Sequence, residues 1–268
     1  MLVAERRRRI VQILQEDGRA TVAELAEALA VSPSTVRRDL ALLAQHEVVQ
    51  RTPGGALLPS ELPHERRRFE PSFLEKQQER REEKRAVARA ATAMVEPGMA
   101  VFLDAGTTVL ELARLLKEIP QLTTVTNSVA AVLELQSAGA DRERTLILTG
   151  GSVKQHTLAL VGPLAEQTIT RIHVDLAFLG MNGIDAEAGC TTPTLEEAAT
   201  KRAMIRSARR TIVLVDHDKL GQVSLVQVAG PAEIARIVTD EAADSECVRR
   251  LQAAGFEVAL APLLGEKP

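Results

Sequence analysis

The chain has 268 residues, 45% of them hydrophobic and 26% charged, an ordinary globular composition that excludes a mainly disordered or fibrous protein and leaves room for two cores of unequal size. Five Phe stand beside no Trp and no Tyr, so the stacking platforms that hold unpaired bases are missing. The formal net charge of −3 is uneven: eight basic residues face seven acidic ones over 1–58, nine face seven over 59–90, and sixteen face twenty-two beyond, so any contact with polyanionic phosphate belongs in the N-terminal third.

Residues 4 to 16 set Ile10, Ile13 and Leu14 on one helical face, and Asp17-Gly18 supplies a stop. A second short helix follows, with Thr21 as cap, Glu24 three residues on as in a capping box, and Leu25, Ala26 and Leu29 as its apolar stripe. Ala30-Val31 makes a turn, Ser32 is an N-cap, and Pro33 opens a third helix through about Gln45. Three helices this close together form a helix-turn-helix. Val48 to Arg51, the turn Thr52-Pro53-Gly54-Gly55 and Ala56 to Leu58 then read as a hairpin wing.

Residues 59–72, with Pro59, Pro63, Pro71 and the run Arg66-Arg67-Arg68, read as a linker, and a helix is expected from Phe73 to Val95. From residue 99 the pattern changes. Apolar strands at 100–103, 123–126, 145–149, 174–179, 211–215, 225–228 and 235–238 alternate with helices near 107–117, 128–138, 162–170, 195–208 and 244–254. That alternation implies a mainly parallel α/β sheet covered on both faces, with ligands held at the carboxyl ends of the strands. The expected division is a winged helix-turn-helix over 3–58, the linker, and a second domain over 73–268. Cys190 and Cys247 lie far apart in no metal-like spacing and read as reduced thiols, and no run of about 18 apolar residues occurs, so a cytoplasmic protein with no membrane association, no metal and no cofactor is expected.

In the third helix Val36, Leu40 and Leu43 point to one side, while Ser34, Arg37, Arg38, Ala41 and Gln45 occupy the other. One face packs and the other is available to a groove. A recognition helix presents its N-terminal residues to base edges, where Arg pairs bidentately with guanine, so Ser34, Thr35, Arg37 and Arg38 are the candidate DNA-reading residues. The bland alternative, a solvated face with Asp39 as an ion-pair partner, loses weight beside a capped turn and a Gly-Gly wing. Arg51 and Gly54 of the wing are candidates for the backbone or the minor groove, although Gly-Gly also serves as a plain turn. The run Arg6 to Arg9 is open between phosphate contact and a solvated helix face.

In the second domain, Asp104-Ala105-Gly106-Thr107-Thr108 stands where a buried strand turns into a helix. Gly106 lets backbone approach a ligand, the helix start offers unpaired N–H groups, and the two Thr hydroxyls can donate to oxyanions. Thr126-Asn127-Ser128, Gly150-Gly151 and Gly180 with Gly183-Ile184-Asp185 end the following strands, and parallel neighbours bring such ends to one rim. Glu197 and Lys201 share a helical face, as either a ligand-binding pair or a helix salt bridge, and Asp216 with Lys219 follows the strand at 211–215. The effector candidates are therefore Asp104, Gly106, Thr107, Thr108, Thr126, Asn127, Gly150, Gly151, Glu197, Lys201, Asp216 and Lys219.

These motifs resemble the DeoR family of repressors of bacterial sugar metabolism. The reader segment matches at Val31-Ser32, Thr35, Arg37-Arg38-Asp39-Leu40, Leu43, Arg51 and Gly54-Gly55-Ala56; the second domain matches at Asp104 to Thr108, Thr126 to Ser128, Gly150-Gly151, Asp175 to Asp185, Glu197 to Lys201 and Asp216 to Lys219. The chain departs from the family at Glu47, where Gly is usual, at Pro53, where His is usual, and at Ala105, where Ser is usual. The resemblance implies a sensor fold similar to ribose-5-phosphate isomerase, a Gly-Thr-Thr loop that holds phosphate, acids and Lys that hold sugar hydroxyls, and assembly into a homo-oligomer, dimer or tetramer. The expected function is a repressor that binds double-stranded operator DNA under control of a phosphorylated sugar. The alternative is a phosphosugar isomerase or deaminase with a DNA-binding head, because Asp104, Glu197, Asp216 and Lys201 are also proton-transfer types.

Overall fold

The computed structural model describes residues 3–45, 49–52, 54–57, 73–136 and 143–263. The chain divides into two compact units, Met1–Glu70 and Pro71–Pro268. Of the features expected from sequence, Glu47, Val48, Pro53, Leu58 and the linker 59–72 lie outside the described residues.

The first unit runs α1 (Val3–Asp17), β1 (Arg19–Thr21), α2 (Val22–Ala28), α3 (Pro33–Gln45), β2 (Gln50–Thr52) and β3 (Gly55–Leu57). The capping box is formed: the Thr21 hydroxyl accepts from Glu24 N at 3.2 Å, and Thr21 N donates to the Glu24 carboxylate at 2.7 Å. Ile10, Leu14, Leu25, Val36 and Leu40 are completely or almost completely buried in one core, which is why these three amphipathic helices close on each other. The wing is not a simple hairpin. Residues 19–21, read from sequence only as the approach to a helix, form a strand, and the sheet order is β1-β3-β2, all antiparallel. The two wing glycines have separate causes. Gly54 adopts φ +93°, a left-handed conformation costly for other residues, and a Cβ on Gly55 would overlap the Ala20 carbonyl oxygen and sit 2.8 Å from Thr21 Cα.

The second unit opens with α4 (Phe73–Gln78) and α5 (Arg81–Thr92). The single helix expected over Phe73–Val95 is therefore two, broken at Arg80, whose φ of 50° is left-handed. No Gly or Pro marks this break in the sequence. The chain continues through β4 (Ala100–Leu103), α6 (Thr107–Leu116), β5 (Thr123–Thr126), α7 (Val129–Gln136), β6 (Thr145–Leu148), β7 (Ser152–Lys154), β8 (Ala159–Val161), α8 (Pro163–Ile169), β9 (Val174–Leu179), β10 (Gly183–Asp185), β11 (Gly189–Thr192), α9 (Leu195–Ser207), β12 (Ala208–Leu214), β13 (Val226–Ala229), β14 (Arg236–Asp240), α10 (Ser245–Ala253) and β15 (Val258–Ala261).

Seven strands form one sheet in the order β15-β14-β12-β9-β4-β5-β6, and every pairing in it is parallel. The strand expected at 225–228 is β13, which pairs with β11 in a separate antiparallel sheet of order β10-β11-β13, while β15 takes the outer place in the main sheet. Alternate residues of each strand feed two cores. Val101, Leu103, Phe178, Ile212 and Val238 pack with α5 and α6 on one face; Phe102, Ala177, Leu179, Val213 and Ile237 pack with α9 and α10 on the other. Burial on both faces explains the nearly continuous apolar strands of the sequence. It also aligns the carboxyl ends of all seven strands along one rim.

Candidate functional site

On α3 the apolar side is sealed and the polar side is open: Val36, Leu40 and Leu43 are buried, whereas Ser34, Arg37, Arg38 and Ala41 are exposed. Ser32 caps the helix by accepting from Thr35 N at 3.2 Å, and its hydroxyl lies 2.8 Å from each of the Ser34 and Thr35 hydroxyls. Thr35 is half-buried in that cluster, so Ser34, Arg37 and Arg38 are the more accessible of the four helix candidates. In the wing, Arg51 is exposed, while the Gly54 carbonyl accepts from Val22 N at 2.8 Å and so ties the turn to α2.

The basic run of α1 has a use outside the two readings open from sequence. Arg6 Nε donates to Asp39 at 2.6 Å and Arg7 Nε at 2.9 Å, and the Asp39 carboxylate is only 2% exposed. Burial alone would push the Asp39 carboxyl up, but the hydrogen bonds and charges of Arg6 and Arg7 outweigh it and hold it below the usual carboxylate range. The pair fastens the inner side of the reading helix to α1. Separations of 32 and 33 residues hid this contact from any local reading.

On the rim, Asp104 follows β4, Thr126 to Ser128 follow β5, Gly150-Gly151 follow β6, Gly180 follows β9 and Asp216 follows β12. Because β12, β9 and β4 are adjacent, Asp216 and Asp104 stand at strand ends about 10 Å apart. The Lys201 ammonium is held between the Asp104 carboxylate and the Gly180 carbonyl, the latter at 2.9 Å, and Gly180 N donates to Asp104 at 3.2 Å. Burial pushes the Asp104 carboxyl up, against the attraction of Lys201 and the Gly180 N–H. Glu197 turns to Lys154 at 2.9 Å and accepts from Thr194 at 3.2 Å. Glu197 and Lys201, one helical turn apart, therefore pair with different partners and make no salt bridge with each other.

Gly106 precedes α6 with an extended φ of 171°, so its value is not conformational freedom; a Cβ there would meet nothing nearer than Gly180 Cα at 4.0 Å, and the space before the loop is open. No side chain caps α6, whose first turn carries Thr107 and Thr108. Uncapped N–H groups, the positive end of a ten-residue helix and two hydroxyls are together suited to a phosphate dianion. Thr126 and Asn127 serve the loop itself. Thr126 donates to Leu103 O at 2.6 Å and accepts from Ser128 N at 3.0 Å, while Asn127 accepts from Ala105 N at 2.9 Å and donates to Leu160 O at 3.2 Å. Their side chains brace the β4–α6 loop from below. Gly150 and Gly151 both adopt positive φ and lead into the β7–β8 hairpin that carries Lys154. Beyond β12, the buried Asp216 has one oxygen, Oδ1, with no hydrogen-bond partner, and Lys219 Nζ stands 4.0 Å from it.

Lys154 and Thr194 were missed as site residues, while Gly180 was foreseen as a rim strand end but not as a partner of Lys201. The only sequence signal for Lys154 was a lone cation three residues past the Gly-Gly strand end. Among the described residues no cluster of His, Cys, Asp or Glu has the arrangement of a metal site, and no helix is long and apolar enough to cross a membrane.

Residues 6–61 match the DeoR-like helix-turn-helix domain, and residues 79–241 match the DeoR C terminal sensor domain. The HTH-type transcriptional regulator GlpR of Haloferax volcanii is 36% identical over 96% of this chain and 98% of its own length. A putative aga operon transcriptional repressor of Escherichia coli O157:H7 is 36% identical over 96% and 93%, and the glycerol-3-phosphate regulon repressor of Escherichia coli K12 is 29% identical over 90% and 92%. Among solved structures, a D-ribose-5-phosphate isomerase in complex with phospho-erythronic acid shares 19% identity over 51% of this chain and 52% of its own, at a TM-score of 0.37, too partial a likeness to carry weight. With both family domains matched in order and relatives aligned over nearly their whole length, the chain belongs to the DeoR family of transcriptional regulators.

Proposed function

We propose that the chain is a ligand-gated repressor of sugar-metabolism genes. The exposed face of α3 enters the major groove of duplex operator DNA, with Arg37 and Arg38 reaching base edges or phosphates, Ser34 and Thr35 near the backbone, and Arg51 with the Gly54 turn touching the flanking strand. A phosphorylated sugar binds on the rim, its phosphate at the start of α6 with Thr107 and Thr108. Its hydroxyls lie toward the Asp104–Lys201 pair, Glu197, Asp216 and Lys219, and Gly150-Gly151 line the far side. The repressors of the aga operon and of the glycerol-3-phosphate regulon among the relatives support a sugar or polyol phosphate as effector. Two or four copies present paired readers to half-sites in the cytoplasm.

The observation that carries this reading is the uncapped N-terminus of α6, open before Gly106, in the same loop as the buried Asp104 that pairs with Lys201. The relatives named as transcriptional regulators and repressors support sensing over catalysis. The test is operator binding by fluorescence anisotropy at fixed salt across a panel of phosphorylated sugars and their unphosphorylated counterparts. A phosphosugar is expected to raise the thermal midpoint and to change operator affinity by about 5- to 150-fold, whereas the free sugar does neither. Turnover of any panel member by the purified protein overturns the non-enzymatic reading; a phosphosugar that binds without changing operator affinity overturns the gating.

A further inference from the structure

We propose that Arg80 and Lys84 are positioning residues that carry the state of the effector rim to the elbow between α4 and α5, the first described elements after the reader in the chain. The proposal rests on the sensing function above and adds the part of the molecule that reports it.

The elbow breaks a segment with no Gly or Pro, and it does so at a non-glycine residue with φ of 50°, a strained left-handed conformation. Lys84, only 4% exposed, turns back and donates to the Lys76 carbonyl of α4 and to the Glu79 carbonyl at 2.6 Å, so its charge stabilises the C-terminal end of α4. Arg80 at the bend reaches Asp218, its Nε 2.9 Å and its Nη2 3.4 Å from the two carboxylate oxygens.

The Arg80 contact leads to one short turn, His217–Lys219, which follows the effector candidate Asp216 and ends at the effector candidate Lys219, beyond β12. Asp216 precedes it with a buried, unpartnered oxygen, and Lys219 closes it 4.0 Å away. The far side of the turn is pinned, because His217 N and Nδ1 both meet the buried Asp240 carboxylate, at 2.9 and 2.8 Å. The charges at the ends of this turn also act on Lys84. Burial pushes its ammonium down, Asp216 pushes it up and Lys219 pushes it down. A sugar hydroxyl donating to Asp216 Oδ1, or one drawing Lys219 from its place 4.0 Å away, moves the turn that carries the partner of Arg80. Arg80 and Lys84 touch no proposed ligand position; they hold the elbow in register with the turn.

The test uses the full chain, an operator duplex, and the panel phosphosugar that most stabilises the wild type, with inorganic phosphate as control. The variants are Arg80→Asp, Asp218→Arg, the double swap, and Lys84→Met; Asp tolerates the left-handed bend. Where the wild type shows a tenfold effector-induced change in operator affinity, Arg80→Asp and Lys84→Met are expected to lower it to about threefold or less, with effector affinity and ligand-free operator affinity within about twofold of wild type; Asp218→Arg is expected to lower it likewise, and the swap to restore it. Purely structural roles would lower both affinities together. Full effector response in Arg80→Asp, or no recovery in the swap, overturns the relay. A wild type whose operator affinity no phosphosugar changes overturns the sensing function itself, and the relay falls with it.

Discussion

Replacing Asp39 by Ala leaves the Arg6 and Arg7 guanidinium groups facing an emptied site beneath the reading helix. A hydrogen bond to a charged group contributes about 1.5–3 kcal/mol, and breaking a fully buried ion pair costs about 3–5 kcal/mol. The carboxylate is only 2% exposed, but the Arg7 side chain is 34% exposed and that half is worth closer to a surface pair. The net loss is therefore about 2–4 kcal/mol, most of it through Arg6. A unit of this size has only about 3–8 kcal/mol in total, so the variant loses roughly half its stability without any DNA-contacting side chain being touched. Hydrogen exchange of the α3 amides in the full chain reads this locally, with an expected acceleration of about 30- to 700-fold at neutral pH. The pH dependence has a definite sign. The folded carboxyl lies below its unfolded value, so its stabilisation is fully present above the ordinary Asp range and is lost as pH falls through the lowered folded value. The gap between wild type and Asp39→Ala must close on acidification. Exchange in Asp39→Ala within about threefold of wild type at neutral pH, or a gap that persists in acid, would refute the clasp.

Three further outcomes are expected. Gly55→Ala should destabilise the wing severely, since its methyl group overlaps the Ala20 carbonyl, while Gly54→Ala, with open space around it, should cost only about 1–2 kcal/mol from backbone strain; urea unfolding of the full chain separates the two. Lys201→Met strands the buried Asp104 carboxylate and should lower stability by about 3–5 kcal/mol, with much of the loss recovered in the Asp104→Asn, Lys201→Met double variant, checked by calorimetry. Arg38→Ala should weaken operator binding by about 1–3 kcal/mol with phosphosugar affinity intact, and Thr107→Ala should weaken phosphosugar binding about tenfold or more with operator affinity intact, by anisotropy and isothermal titration respectively.

The reader was almost wholly legible because its signals are local: the Thr21–Glu24 box, the Ser32-Pro33 start and the 3.6-residue stripe each act within one or two helical turns. The order of the sheet was not local, yet its rim could be foreseen, since parallel strands bring their carboxyl ends together whatever their order. In the second unit β10 and β11 stayed hidden, and so did the parallel outer strand β15. β10 and β11 are short, rich in Gly and Thr, and alternate no polar with apolar residues, and Val258–Ala261 contains only one β-branched residue. The α4–α5 break escaped notice because no Gly or Pro marks it and the contact of Arg80 at the bend is with Asp218, 138 positions away; the pairing of Glu197 with Lys154 is non-local as well. Thr126 and Asn127 were read correctly as polar strand ends, but only the packed loop reveals that backbone groups occupy them.

The central place of β4 in the main sheet imposes a timetable on synthesis. Its neighbour on one side, β5, emerges soon after it, but its other neighbour, β9, and then β12 arrive far later in the chain, so the apolar strands made first wait with one flank uncovered. The pairings of the DNA-reading unit, β1 with β3 included, all fall within its first 57 residues. At about 5–20 residues per second, a nascent chain carries a finished reader for roughly 10 to 30 s before β12 can dock. During that interval it can touch a chromosome before it has any means of being told to let go.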